Sequence, residues 1–261
     1  LRINLYLDRQ TLLYQLHPQV KLAILAATFA SIYAIDRPLA VAPVAAALAA
    51  MLVAARAYDN VRRFAVMFIA VPVATFIMWS LFYGYGQSGA GVFGARPRSE
   101  AVEFAAGMAL KLESFLAASV LFLSITRVEE FTEALRGLGM PYRMSFTIAM
   151  AFRLVPLFLT SSMSVVAAQR ARGLDFSRGS VFARLARYMP VIVPVFMGAL
   201  RRADSMAMAL EARGFGRQTA RTTFIRSRFL KRDLVAALLI AVVVVAYVWA
   251  AMLGYGRIRP Q

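Results

Sequence analysis

Two short phrases carry whatever chemistry this sequence offers. Ala171-Arg172-Gly173-Leu174 and Ala212-Arg213-Gly214-Phe215 stand 41 residues apart, and each closes a run that reads as helix, Ser164–Arg172 and Ala203–Arg213. A glycine just past a helix enters the left-handed turn that caps it without side-chain strain. The arginine before it then sits at the negative end of the helix dipole with its planar fork directed outward. Such a fork can enter a groove on a soluble partner and pair with carboxylates or carbonyls. A single arginine of this kind could equally rest on anionic lipid headgroups. Two with matching flanks point to a duplicated docking device.

Other reactive candidates are few. Lys111 and Glu113 lie two residues apart within an apolar run, hence on different faces of a helix. Ionisable groups at such depth face protein or a water-filled cavity, so they read either as packing partners of neighbouring helices or as an ion or proton path. There is no cysteine and a single histidine, His17, which excludes disulfides, thiolate metal sites and histidine-pair metal sites. The sequence contains no Gly-rich loop ending in Gly-Lys-Ser/Thr and no Gly-x-Ser-x-Gly elbow. Neither an active site nor a cofactor is expected. If ATP powers this protein, hydrolysis falls to another chain.

The elements that must position the two arginines are those of a membrane protein. The 261 residues are 61% hydrophobic with a mean hydropathy of +0.64, well above soluble domains. A net charge of +17 would suggest nucleic acid in a soluble protein. Here the basic residues cluster between apolar runs, as the positive-inside rule requires, and no nucleic-acid partner is expected. Residues 1–18 read as an interfacial segment without the pattern of a cleavable signal peptide. Lys21–Ile35 and Leu39–Ala55 are slightly short apolar runs, followed by a basic loop with Arg56, Arg62 and Arg63. Phe64–Tyr83 and Phe104–Ile125 are clear spans separated by a Gly-rich loop, Gly84–Pro97, and Asp233–Leu253 is the last span.

Between these spans the character changes. Val128–Leu138 is amphipathic, and Tyr142–Arg172 and Tyr188–Arg213 are long apolar runs interrupted by Arg and Pro. From Ala167 to Arg232 the chain carries fourteen basic residues against three acids, Asp175, Asp204 and Glu211. A membrane-bordering, partly immersed helix pair accounts for both properties. The small residues near Ala168 and the methionines near Met206 predict that the two helices cross and slide, with Ala168 close to Met206. The fold class is therefore an all-α integral membrane protein of about five transmembrane helices plus long cytoplasmic or interfacial helices. Residues 1–126 form N-terminal transmembrane helices, 127–232 the region with the two Ala-Arg-Gly motifs, and 233–261 a final helix and tail. Five spans place the N-terminus and the basic region on the cytoplasmic side.

With its doubled Ala-Arg-Gly motif, the chain resembles the transmembrane T component of energy-coupling factor (ECF) transporters, the vitamin and transition-metal-ion uptake systems. Leu16-His17-Pro18-Gln19-Val20-Lys21-Leu22 is similar to a family stretch that tends to read Leu-Asp-Pro-x-x-Lys-Leu, with His17 in place of the Asp. Glu133-Ala134-Leu135-Arg136-Gly137-Leu138-Gly139-Met140-Pro141 resembles the family's approach to its coupling helices. The resemblance implies a prokaryotic cytoplasmic-membrane protein that joins two ABC-type ATPases to a small membrane S component. Ala171, Arg172, Gly173, Ala212, Arg213 and Gly214 would then be the ATPase-coupling residues, with no metal and no cofactor. Biotin, cobalt, nickel or another vitamin would be the cargo. A conventional ABC permease, an intramembrane enzyme using Lys111 and Glu113, and a basic membrane scaffold are the competing readings.

Overall fold

The computed structural model describes residues 11, 13–33, 37–82, 98–176, 187–216 and 230–252. All regular structure among them is helical: α1 Pro18–Tyr33, α2 Pro38–Ala54, α3 Tyr58–Arg63, α4 Ala65–Phe82, α5 Arg98–Ile125, α6 Val128–Gly137, α7 Tyr142–Ala171, α8 Met189–Ala212 and α9 Lys231–Met252. The expected interfacial segment before residue 11 and the expected Gly84–Pro97 loop lie outside the described residues. The chain forms two compact units, residues 1–140 with 227–261, and residues 141–226.

Three helices among the described residues are long and apolar enough to cross a membrane: α4, α5 from Ala101, and α7. The all-α membrane class expected from the sequence holds. α1 and α2 have 16 and 17 residues, about 24–26 Å of helix against a hydrocarbon core of about 30 Å. α7 was expected to border the membrane, yet its apolar window is entirely unburied and long enough to span. α9, of which not every side chain is described, is 22 residues long and uncharged after Asp233. α5 starts six residues ahead of the apolar run, because Pro97 is the only nearby breaker and residues 98–103 have no reason to leave the helix. Part of the expected basic loop is α3. It follows a tight turn in which Arg56 adopts a left-handed backbone (φ 51°) between the fully buried Ala55 and Ala57.

The first unit is built around α5, which packs against α4, α2 and α1, while α1 also packs against α6 and α9. Ala117 and Ala118 on α5 are buried with Ile32, Leu48, Leu52 and Leu121, and small residues at such contacts let backbones approach closely. Phe29 and Phe115 meet edge-to-face at 4.9 Å. Buried polar groups serve helix ends. Lys21 Nζ, with its side chain wholly buried, donates to Tyr14 O (2.8 Å), to Ile125 O at the end of α5 (2.9 Å) and to Glu130 Oε2 in the first turn of α6 (2.7 Å). Lys111 Nζ donates to Tyr33 O at the end of α1 (3.3 Å) and stands over the Tyr33 ring at 5.7 Å. Asp233 Oδ2 accepts from Leu230 N (2.8 Å), the reciprocal half of a capping box, and its Oδ1 accepts from His17 N (2.9 Å).

His17 stands where the resembled family tends to carry Asp, and its Nδ1 accepts from Gln19 N (3.3 Å), the acceptor role of an N-cap residue. Pro18 supplies the first helical position, where a missing N–H costs nothing. Lys21→Met leaves two carbonyls and a carboxylate without their donor. It should destabilise the protein by about 3 kcal/mol or more, read as a fall in the detergent-solubilised melting temperature. Glu130→Gln, whose side chain is partly exposed, should cost less.

Candidate functional site

Both Ala-Arg-Gly motifs lie in the second unit and have the same local geometry. α7 ends at Ala171 with Arg172 as its C-cap, and α8 ends at Ala212 with Arg213 as its C-cap. Gly173 has φ +86° and Gly214 has φ +75°, the left-handed conformation expected of both. At the first motif Gly173 N donates to Arg170 O (2.9 Å) and Leu174 N to Gln169 O (3.0 Å). At the second, Gly214 N donates to Glu211 O and Phe215 N to Leu210 O, both at 2.9 Å. These are the paired bonds of the Schellman motif, made twice in the same register. α6 closes the same way at Gly139 (φ +100°), but a leucine precedes that glycine, so the cap is general and the arginine is particular to α7 and α8.

The backbone carbonyls of these helix ends are thus satisfied without the arginines. Arg172 and Arg213 are exposed, and among the described residues neither guanidinium makes an ion pair or hydrogen bond. Ala171 and Ala212 are exposed as well. What the arrangement offers is two free planar forks, each on a rigid helix end.

The two motifs are not brought together. α7 and α8 run antiparallel and touch at both ends: Phe146 meets Phe215 at 4.6 Å near one end, and Gln169 Nε2 donates to Pro190 O (3.2 Å) at the other. The expected single crossing is therefore replaced by a side-by-side pair. Ala168 and Met206 do not face each other, since Gln169 bonds near the start of α8 while Met206 lies opposite the middle of α7. Both helices continue unbroken through Pro156 and Pro194. Arg172 and Arg213 consequently stand at opposite ends of the pair, separated by roughly the 24-residue length of α8, about 36 Å. Between the first half of α7 and the last turns of α8 lies a groove of about 670 Å³, lined by Met150, Leu154, Leu157, Met206 and Leu210, with Arg153 and Arg213 as its basic residues.

Two further arginines, absent from the sequence expectation, touch the motif turns. Arg143 Nη2 donates to Gly216 O (3.2 Å), and Arg187 Nη1 donates to Asp175 O (3.0 Å). The available signal was that Arg143 occupies the first turn of α7 and Arg187 precedes α8, the positive ends of helices, where a cation is locally unfavourable. Lys111 and Glu113 are not joined into a catalytic pair: Lys111 is engaged at the end of α1, and Glu113 is half-buried on another face of α5. No group of acidic or histidine residues able to hold a metal ion occurs among the described residues.

The sequence profile of the CbiQ family, described as a cobalt transport protein, matches residues 9–224. The chain belongs to this family. It is similar to the energy-coupling factor transporter transmembrane protein EcfT of Limosilactobacillus fermentum, 34% identical over 127 residues, 48% of each chain. The protein of the same description from Ruminiclostridium cellulolyticum is 29% identical over 164 residues, 60% of each chain. That from Brevibacillus brevis is 28% identical over 145 residues, 55% of each. The matched segments thus span about half to three fifths of the length of these relatives. Family and helices together make the chain a membrane protein.

The glycines generate a local test. No neighbouring atom crowds a Cβ at Gly173, so the cost of a side chain there is the left-handed backbone alone. Gly173→Val and Gly214→Val should each cost about 1–2 kcal/mol in cap stability and accelerate amide exchange at Leu174 and Phe215. Gly→Asn at either position should stay near the parent. Unchanged exchange in both valine variants would contradict the cap assignment.

Proposed function

We propose that this chain is the transmembrane coupling subunit of an ECF-type importer, transmitting ATP-driven movement of two ATPase subunits to a small substrate-binding membrane protein. The observation that supports this most directly is the pair of equivalent, exposed arginine ends at opposite poles of one antiparallel helix pair. Two equivalent ends suit two equivalent grooves, and an exposed unpaired fork suits carboxylates or carbonyls within them. Ala171, Arg172, Gly173 and Ala212, Arg213, Gly214 are the coupling residues in this reading. The chain is no enzyme itself, and ATP is hydrolysed on the partner subunits. The N-terminus and the coupling ends face the cytoplasm of a prokaryotic cell, in line with the weight of basic residues there. The cargo belongs to the vitamin and transition-metal class, with biotin, cobalt and nickel as specific candidates. The unburied apolar face of α7 is available to the lipid bilayer and to the S component.

Arg172→Ala or Arg213→Ala should leave membrane insertion intact and weaken ATPase binding by about 2 kcal/mol, roughly thirtyfold in Kd. The double variant should lose the ATPases on co-purification. Lysine should replace either arginine poorly, because it lacks the planar fork. Full ATPase recovery with the double variant would sink this reading and favour headgroup anchoring.

A further inference from the structure

We propose that Arg143 and Arg187 are positioning residues that hold the two coupling ends in shape, each reaching in from the opposite helix of the pair. This rests on the reading of Arg172 and Arg213 as docking residues, and it says what keeps them aimed. A Schellman cap determines the backbone only through the residue after the glycine. Beyond Leu174 and Phe215 nothing within the helix itself dictates where the chain goes. At both ends the gap is filled in the same way. Arg187 donates to the carbonyl of Asp175, two residues past Gly173, and Arg143 donates to the carbonyl of Gly216, two residues past Gly214.

The aromatic residues repeat the correspondence. Phe215 packs on Phe146 at 4.6 Å and on Tyr142 at 6.1 Å, both from the first turns of α7. Phe176 packs on Tyr188, the N-cap of α8, at 5.0 Å, and Arg170 stands over its ring at 5.9 Å. Each docking surface is therefore composite: a capping Arg-Gly turn from one helix, with a guanidinium and an aromatic ring from the start of its antiparallel neighbour. A cation at a helix N-terminus opposes the dipole, so Arg143 and Arg187 gain nothing from their own helices. Their partners lie across the pair. Because each turn is held from the other helix's beginning, sliding one helix along the other would break both clamps at once.

The full complex reconstituted in nanodiscs tests this by double-mutant cycles on ATPase affinity. Arg143→Gln and Arg187→Gln should each weaken binding about tenfold, the equivalent of one hydrogen bond made by a charged donor. Arg143→Gln should add little to Arg213→Ala, and Arg187→Gln little to Arg172→Ala, while the crossed combinations Arg143→Gln with Arg172→Ala and Arg187→Gln with Arg213→Ala should be additive. A generally destabilised unit would give no such pairing by end. Amide exchange supplies a readout independent of the ATPases: Arg143→Gln should speed exchange at residues 214–216 and Arg187→Gln at residues 174–176, each leaving the other end unchanged. Parent-like exchange in both variants, or additive effects within an end, overturns the clamp. Loss of exchange protection with no effect of Arg172→Ala or Arg213→Ala on ATPase binding would leave the clamp standing and overturn the proposed function.

Discussion

The wholly buried ammonium of Lys21 binds the carbonyls of Tyr14 and Ile125 and the partly exposed carboxylate of Glu130. A buried lysine is costly to desolvate, and it is tolerated here because every contact satisfies an acceptor that has no helical partner. The last carbonyls of a helix lack intrahelical donors, and once buried they need a donor from elsewhere in the protein. Lys111 meets the same requirement at the end of α1, and Asp233 meets the converse one, accepting the orphan N–H of Leu230 and that of His17. The first unit is held together at its polar points by whatever closes a helix end. Apolar packing around α5 fills the space between those points.

The second unit obeys the same constraint by another route. Backbone bonds close α7 and α8 on themselves through Gly173 and Gly214, so no side chain is consumed at either end. Arg172 and Arg213 are left exposed and without partners among the described residues. The proposed docking role needs two side chains that the fold has not already engaged, and the Schellman cap leaves these two so. Arg143 and Arg187, whose forks are spent on Gly216 and Asp175, show the other use of the same side chain.

The stretch around His17 shows how a motif can survive a change of residue. An Asp at an N-cap accepts from the second or third helical amide, and the imidazole Nδ1 of His17 accepts from Gln19 N instead. The carboxylate is not missing from the neighbourhood, because Asp233 brings one from the far end of the chain to the His17 amide. Arg232 reinforces that junction through Gln15, donating to its side-chain oxygen at 2.6 Å and its carbonyl at 3.0 Å. First and last helices are thereby joined at one polar knot.

The sequence alone determined what depends on near neighbours. Apolar runs, breakers and the glycine after each arginine are local, so the all-α membrane class, the position of most helices and the left-handed caps at Gly173 and Gly214 were all legible. The shortness of α1 and α2 was legible too, but helix starts were less so: α5 began six residues early because polar residues do not end a helix unless a breaker does. Only the tertiary structure decided which ends meet. That Lys21 reaches Ile125 across 104 positions, that Lys111 belongs to Tyr33, and that α7 and α8 lie antiparallel without crossing are long-range facts with no periodic signature. For the same reason nothing in the sequence sets Arg143, at the start of an apolar run, or Arg187, within the basic region, apart from the other arginines. Their role is defined by carbonyls 73 and 12 residues away, and a hydrogen bond over such a separation exists only once the helices have been laid side by side.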